Sequence, residues 1–586
     1  MSKNTADLAS FSLVQSWLND CLNKHSICNE HRATTEFQPT RILDLSGIKS
    51  RGQANLVDTT KTAINSTYAT LSHCWGGTLH ARLLKQNVTE FEQEIRISKL
   101  PTVYREAIDI ALQLGVQYLW IDSLCIMQDD EADWLRESSR MFDIYRNAMF
   151  NIGATGATDG NGHCFVDRNI NLLSPCLFNP ESEPTATKPR LRDRLFKRKP
   201  KTEPSSTEES PPGDSTWHVV EEGFWTDRLH QQPLNQRAWV VQERLISRRM
   251  IHYARDQIYW ECHELHACEA YPKGPQEMYE LQALKSVHMD VIRKVFARQL
   301  EEAPERTRRL LPKVDGPSSE LALMAWGNIV GEYSKRNLTV AKDKLVAFSG
   351  LAKLMQGFIQ DQYVAGLWRS GMTMGLLWVV KHSSREGKPY PSRTFDSMAP
   401  SWSWASVKGQ IHTVVLSDAN LKEKMAYIHI TIQDITLNPL GNDEMGALNS
   451  GVLKIKCSLW PAAFLNDDTR EDYRDNHVAV PFFDLGIGSV DYDFTVKEFD
   501  CTLDNLIGPN DFGPAANLHV MPIMSIEQDE GGGPIITQGL ILRQIKDPAG
   551  QVQYQRFGYF QHSAKGNIFS LAGKSMDFEH KVIELV

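Results

Sequence analysis

Short apolar runs alternate with amphipathic segments of helical length between residues 68 and 260 of this 586-residue chain. The apolar runs predict strands at Tyr68–Ser72, Tyr118–Ile121 and Phe150–Ala154. Between them, apolar residues recur at helical spacing from Thr102 to Leu114 and from about Asp130 to Ala148. Strands that alternate with helices at this spacing indicate an α/β fold with a parallel sheet joined by right-handed crossovers.

The hydrophobic pattern divides the whole chain into four parts. We expect an N-terminal helical segment (1–40), an α/β domain (41–270), a helical region (271–410) and a β-rich C-terminal domain (411–586). The helical region is expected to include the aromatic runs Ala365–Trp368 and Leu376–Trp378. Beyond residue 410, short alternating runs such as Tyr427–Ile432 favour an antiparallel sheet.

A stretch without strand or helix pattern interrupts the α/β domain. Residues 180–216 are rich in Pro, Ser, Thr and charge, which predicts a disordered basic insertion. Within it, Lys197–Lys201 is either a nuclear-import signal, an anion-binding patch or a solvated loop. Order is expected to return with a helix at Arg237–Leu245 and strands at Met250–Tyr253 and Gln257–Trp260.

Composition and charge narrow the classes of partner. The formal net charge of −9 gives no reason to expect nucleic acid or an anionic membrane as a partner. No apolar run is long enough for a membrane span, and the first residues lack the pattern of a signal peptide. The ten cysteines are irregularly spaced, as expected for reduced thiols, so we expect a cytoplasmic protein.

Two groups of Cys and His residues raise the question of a metal site. Cys21, His25 and Cys28 lie at i, i+4 and i+7 of a predicted helix, and thiolate and imidazole are zinc ligands. The spacing matches no closed zinc pattern, and a fourth ligand such as His31 would have to come from beyond the helix. A second group, Cys262–Cys268, directly follows a strand. We favour packing for both groups and predict no metal site.

Three spaced blocks carry a family resemblance. They are Tyr68–Gly77 (YATLSHCWGG), Tyr118–Asp129 (YLWIDSLCIMQD) and Arg237–Leu245 (RAWVVQERL). At these blocks the chain resembles the fungal heterokaryon-incompatibility (HET) domain family, over about residues 65–245. Flanking pieces such as Gly366-Leu-Trp368 and Pro400–Trp404 resemble the C-terminal portion of these proteins. The resemblance implies a role in non-self recognition, in which incompatible alleles trigger the death of fused cells.

A more distant resemblance suggests a mechanism. The order of elements is similar to the flavodoxin-like Toll/interleukin receptor (TIR) fold. In NAD-cleaving TIR domains a Trp-x-x-x-Glu segment carries the catalytic glutamate, and Trp239 and Glu243 match it here. The resemblance implies that Glu243 stabilises an oxocarbenium-like ribose cation. Trp75 or Trp239 would then stack on a ring of NAD, with Ser72 and Asp122 lining the cleft.

Local alternatives remain open at each of these residues. Glu243 is also compatible with an ion pair to Arg237 or Arg244, and Asp122 with capping the next turn. A Cys74 nucleophile would need a base other than His73, because adjacent residues on a strand point to opposite faces.

The sequence therefore predicts one cleft at the strand ends. We expect Glu243 to be its catalytic residue. The expected binding residues are Ser72, His73, Cys74, Trp75, Asp122, Arg237 and Trp239. NAD is the candidate substrate, and no cofactor is required. The alternatives are a non-enzymatic module that signals through self-association or other death-signalling proteins, and an enzyme of small-molecule metabolism on the same scaffold.

Overall fold

The structure is a computed structural model. It describes residues 2–29, 37–77, 81–173, 176–178, 217–219, 224–274, 319–380, 399–413, 426–464, 477–479, 499–504, 517–527, 535–564 and 580–586. The predicted insertion at 180–216, the basic run 197–201 and His31 lie outside these residues. Within the part that is described, every helix is too short or too polar to cross a membrane.

A nine-stranded mixed sheet forms the centre of the N-terminal half. Its strands lie in the order β11-β10-β9-β6-β3-β5-β1-β2-β4. Their bounds are β1 Arg41–Asp44, β2 Gln53–Asp58, β3 Tyr68–Ser72, β4 Ile95–Arg96, β5 Tyr118–Ile121, β6 Phe150–Gly153, β9 Arg249–Tyr253, β10 Ile258–Cys262 and β11 His266–Cys268. A separate pair is formed by β7 Cys176–Phe178 and β8 Trp217–Val219.

The four central strands confirm the α/β prediction. β3 pairs in parallel with β5 and β6, and β6 pairs in parallel with β9. Taken in chain order, these strands are arranged 2-1-3-4 in space, which is a flavodoxin-like order. Both edges of the sheet are antiparallel, so the whole sheet is mixed: β1, β2, β4, β10 and β11 each pair antiparallel. At one edge, the turn at residues 254–257 joins β9 to β10, and a connection this short can only join antiparallel neighbours.

Eight helices among the described residues accompany this sheet. They are α1 Leu8–Lys24, α2 Ser26–Asn29, α3 Ile48–Arg51, α4 Val88–Gln93, α5 Thr102–Gln113, α6 Asp122–Cys125, α7 Glu131–Asn147 and α8 Ala238–Ile246. α5 has the predicted apolar face, with Val103, Ala107 and Ile110 buried. α7 begins at Asp130, whose carboxylate accepts hydrogen bonds from the backbone N–H groups of Ala132 and Asp133.

The region from 319 to 413 is only partly helical. Its helices are α9 Ser319–Ser334, α10 Val346–Ile359 and α11 Met372–Gly375. The predicted helical run at 365–368 was wrong, because β12 Tyr363–Val364 and β13 Leu367–Trp368 form a hairpin. The two residues between these strands, Ala365 and Gly366, have φ of 47° and 94°. Positive φ at both central residues is the signature of a type I′ hairpin turn. A second pair joins β14 Val379–Val380 to β15 Ile411–His412.

The helix α10 connects this region to the α/β domain. It packs against α7 and α8. Gly350 makes this approach possible, since a Cβ at that position would lie 2.7 Å from Gln242 Oε1 and 2.9 Å from Ile246 Cδ1. The helical region therefore covers one face of α8.

The C-terminal residues form the predicted β-rich domain. The described part of this domain contains ten strands: β16 Tyr427–Ile428, β17 Thr431–Pro439, β18 Leu448–Cys457, β19 Trp460–Phe464, β20 His477–Ala479, β21 Phe499–Leu503, β22 Leu518–Glu527, β23 Ile535–Lys546, β24 Val552–Ala564 and β25 Lys581–Leu585. They make one sheet, antiparallel apart from the contact between β24 and β25. Buried Arg556 ties it to the helical region by donating to the Leu376 and Trp378 carbonyls, and within the domain it donates to Asp504.

Candidate functional site

Glu243 lies at the carboxyl end of the central strands, as the sequence predicts. Its carboxylate is only 5% exposed and accepts a hydrogen bond from the hydroxyl of Ser72, the last residue of β3. The amide of Asn151, on β6, donates to the same hydroxyl at 2.9 Å. Ser72 and Asn151 thus bridge the two strands at which the order of the parallel sheet reverses. In open α/β sheets, ligands bind in the crevice at this reversal.

The environment of Glu243 favours its neutral form. Burial raises the pKa of the Glu243 carboxyl to about 7, although the hydrogen bond from Ser72 and the charge of Arg237 act in the opposite direction. The nearby charge of Asp122 adds to the rise, whereas a hydrogen bond from Tyr145 lowers the pKa. A carboxyl with this pKa changes protonation state close to neutral pH, as catalytic carboxyls in enclosed sites do.

A second polar network lies around Asp122, which directly follows β5. The indole of Trp75 donates to the Asp122 carboxylate at 2.9 Å, and His73 Nδ1 lies 3.7 Å from the same group. On its other side, His73 Nε2 is 2.8 Å from the hydroxyl of Tyr104, which also bonds Ser123. Asp122 retains 23% of its side-chain exposure, so this network reaches solvent where the Glu243 network does not.

The guanidinium groups near Glu243 have other hydrogen-bonding partners. Arg237 donates to the backbone carbonyl of His73. Arg244 forms a buried ion pair with Glu261, in which Nε lies 2.6 Å from the carboxylate. Arg244 is therefore not the partner of Glu243, and Arg237 acts on it only through its charge. An ion pair between Glu243 and Arg237 or Arg244, the alternative to a catalytic role, therefore does not fit this arrangement.

Two predicted binding residues lie apart from these networks. Cys74 packs with Leu234, Val240 and Met250 in an apolar cluster, and burial raises the pKa of its thiol. A buried thiol with a raised pKa is a poor nucleophile. The Trp239 ring packs edge-on against Trp134 at 6.4 Å between centroids, on the side of α8 that faces α7. Of the two candidate stacking rings, only Trp75 lies beside Asp122.

Sequence reasoning missed several polar residues that the fold brings to this region. Asn151 and Tyr145 contact the Ser72–Glu243 pair, and Tyr104 bonds His73. A further buried network joins Glu261 to His252, with Nε2 3.0 Å from the carboxylate. Polar residues inside the otherwise apolar runs of β6 and β10 were the available signal, since such residues need a partner when buried.

The Cys and His residues considered as metal ligands assemble differently from the prediction. Cys21, His25 and Cys28 are joined by Cys262, the last residue of β10, and their donor atoms all lie within 4.8 Å of one another. The expectation of simple packing did not anticipate this fourth donor. Cys268 instead packs with Phe224 and Tyr259, so the 262–268 group does not converge.

The fold and these networks define the class of the protein. It has an α/β domain with a buried carboxyl at the sheet reversal, attached to helical and β-rich C-terminal parts. Residues 68–243 match the family model described as "Heterokaryon incompatibility protein (HET)". Residues 68–243 are therefore similar to the HET domain family, and this match supports a role of the heterokaryon-incompatibility type. All of the predicted site residues lie within the matched range.

The other comparisons add no relative. No curated protein and no solved structure matches the chain. The resemblance to TIR domains is not borne out by these comparisons. The flavodoxin-like order of the central strands consequently stands on the topology of this chain alone.

Proposed function

We propose that this protein is an effector of heterokaryon incompatibility and regulated cell death whose HET domain hydrolyses NAD through Glu243. The observation that carries the proposal is the Glu243–Ser72 pair at the sheet reversal. It is a carboxyl group with a pKa raised to about 7, held by a hydroxyl and not neutralised by a direct guanidinium contact. This combination supports a role in chemistry at the strand ends.

The chemistry asked of Glu243 is the stabilisation of positive charge on a sugar. In the reaction, the bond between ribose C1′ and the nicotinamide nitrogen breaks, and nicotinamide leaves as a neutral molecule with the bonding electrons. Water adds to C1′ and releases a proton. An ionised Glu243 would stabilise the oxocarbenium-like centre that develops between these events. The approach of a cationic nicotinamide group would itself favour the ionised carboxylate.

The remaining polar residues have supporting roles in this proposal. Ser72 and Asn151 hold the carboxylate in place through their hydrogen bonds. Trp75 offers a half-buried ring beside Asp122 for stacking on a base. Since Glu243 is only 5% exposed, the strand-end loops have to open before a dinucleotide can enter.

The direct test compares Glu243→Gln with a matched control. Purified protein is incubated with NAD, and nicotinamide release is followed with time. Glutamine keeps the size of the side chain and can still accept the hydrogen bond from Ser72, so the variant should fold. We expect a loss of rate of at least about 100-fold, as for the removal of one transition-state contact. Glu137→Gln, which changes another buried carboxylate of the same domain, should retain activity.

The pH dependence of the reaction gives an independent check. If the ionised form of Glu243 is required, the rate should rise with pH through about 7 and then level off. A rate that is flat between pH 5.5 and 8.5, or one that falls as pH rises, would contradict the assigned role.

A second candidate function follows from the closed state of the site. Glu243 is almost fully buried. This observation favours a non-enzymatic module in which the two networks only brace the strand-end loops. In that case Glu243→Gln would leave both cell killing and cellular NAD unchanged, and self-association or partner binding would carry the signal.

A further inference from the structure

Three buried thiols and one imidazole come together from two distant parts of the chain. Cys21 and His25 lie at the end of α1, Cys28 in α2, and Cys262 at the end of β10. The three sulfur atoms belong to residues that are at most 1% exposed, whereas His25 is half-buried. All four donor atoms lie within 4.8 Å of one another.

The distances suit a tetrahedral ion. His25 Nδ1 is 3.3 Å from Cys262 Sγ and 3.9 Å from Cys28 Sγ. In a tetrahedral zinc site, bonds of about 2.3 Å to sulfur and about 2.0 Å to nitrogen place neighbouring ligands about 3.5–3.8 Å apart. The four donors therefore already surround a point at which one ion fits, with no fifth ligand needed.

An interruption of the helix at His25, between α1 and α2, creates this arrangement. The backbone of His25 is extended (φ −85°, ψ 107°), so α1 ends there and α2 starts in a new direction. The side-chain amide of Asn29 holds the break by donating to the Cys21 carbonyl at 2.8 Å and to the His25 carbonyl at 2.7 Å. One continuous helix would have kept the donors on a line along its face, which explains why the spacing alone did not reveal the site.

Polar groups outside the cluster donate hydrogen bonds to two of its sulfur atoms. Arg249, on β9, is 2% exposed. Its Nε lies 3.1 Å from Cys21 Sγ, and its Nη2 donates to the side-chain oxygen of Asn29 at 2.7 Å. The backbone N–H of Leu265 donates to Cys262 Sγ at 3.2 Å. Such outer contacts orient metal ligands and are typical of built sites. Three thiolates would be neutralised by a divalent ion together with the Arg249 guanidinium.

We propose that Cys21, His25, Cys28 and Cys262 bind one zinc ion that fastens the N-terminal helices to β10 of the α/β domain. Three thiolates and one imidazole are a donor set that selects zinc over magnesium or calcium. With all four positions filled by protein, the ion is structural and takes no part in catalysis. The proposal is independent of the reaction assigned to Glu243.

The experiment measures metal in the full-length chain. The protein is purified without chelator, and its zinc content is determined by mass spectrometry against protein concentration. We expect close to one zinc per chain. Cys28→Ser and Cys262→Ser should each lose it, while Cys268→Ser, which changes an equally buried thiol on the neighbouring strand β11, should keep it.

A second measurement uses only the unaltered chain, so it stands even if the variants fail to fold. After removal of zinc under reducing conditions, added Co²⁺ should produce the intense visible absorption of a tetrahedral thiolate site, and Zn²⁺ should abolish it. Protein that is isolated without zinc and takes up neither ion would overturn the proposal. A disulfide linking two of the three cysteines in unreduced peptides would also overturn it.

Discussion

Two buried carboxylates in the α/β domain, Glu243 and Glu261, have different direct partners and acquire opposite properties. Glu261 is paired with Arg244 and lies 3.0 Å from His252, and these charges hold its pKa well below its usual range despite burial. Glu243 has a hydroxyl as its direct partner, and burial raises its pKa to about 7. Two adjacent residues of α8 thus have different roles. Glu243 supplies a carboxyl that changes protonation state near neutral pH, whereas Arg244 forms an ion pair with Glu261.

The direct partner of a buried carboxylate therefore distinguishes a residue that stabilises the fold from a residue that is available for catalysis. A buried ion pair is costly to break but does not respond to pH near neutrality, because both partners stay charged. A buried carboxyl without a cation partner reduces stability once it ionises, and such groups are concentrated at functional sites. The comparison is therefore best tested by variants that change one carboxylate environment at a time.

The largest effect is expected from Arg244→Met. It removes the guanidinium from Glu261 and leaves a charged carboxylate in a buried site, at a cost of about 3–5 kcal/mol. Amide hydrogen exchange in α8, β9 and β10 measures this loss of local stability. Arg228→Met is the control, since its half-exposed contact with Asp256 should contribute less than about 1 kcal/mol. A loss below about 1 kcal/mol for Arg244→Met would show that the pair does not stabilise this part of the domain.

A smaller effect, with a pH dependence of known sign, is expected from Glu243→Gln. Because the folded-state pKa of Glu243 is raised from 4.5 to about 7, its protonated form stabilises the fold. That stability is fully present below pH 4.5 and is lost as pH rises through about 7. The loss is about 3 kcal/mol at about 1.36 kcal/mol per pH unit.

Glutamine cannot ionise, so the variant should be the more thermally stable protein at pH 8.5, and the difference should nearly vanish at pH 4.5. Melting temperatures of both proteins at the two pH values measure this. Glu261 has the opposite sign: its lowered pKa gives stability that is lost as pH falls below 4.5. A variant that is less stable than wild type at pH 8.5 would mean that Glu243 is held ionised by contacts other than those described.

The smallest effect is expected from Ser72→Ala. The change removes a hydrogen bond to Glu243 that lowers its pKa, so the midpoint of the pH dependence should move above 7. The stability cost should be about 1 kcal/mol, as for one buried hydrogen bond. Thr70→Ala, two residues earlier on the same face of β3, is the control and should leave the midpoint in place. An unchanged midpoint in Ser72→Ala would indicate that Ser72 does not contact the carboxylate in solution.

The sequence was sufficient to predict those helices and strands that depend on a local hydrophobic pattern. The strands β3, β5 and β6 and the helices α5 and α7 follow from hydrophobic period, and each was predicted within a few residues. The hairpin at 363–368 was missed, because aromatic residues at close spacing fit a helix as well as a strand, and only the φ of Ala365 and Gly366 distinguishes the two.

Long-range partners were beyond the reach of the pattern. No local sequence feature indicates that Arg244 pairs with Glu261 and not with Glu243. Likewise, none indicates that Cys262 lies beside Cys21, which is distant in the sequence. Both outcomes depend on the order of strands in the sheet, which places β10 beside β9 and brings α1 against it. Ser72 and Asp122 could be predicted to lie near each other because parallel strands share one edge, whereas the positions of Cys74 and Trp239 depend on side-chain packing.

The close approach of α10 at Gly350 has a practical consequence for dissection of the protein. The matched family range stops at residue 243, inside α8, yet the neighbouring side chains of Gln242 and Ile246 lie directly under that glycine. A fragment cut at the end of the match would lose the last three residues of α8, most of one turn, and expose its apolar side to water. A fragment that contains the matched range should therefore need α10 as well in order to fold by itself. A loss of toxicity in a shorter fragment would reflect misfolding and would not test the mechanism.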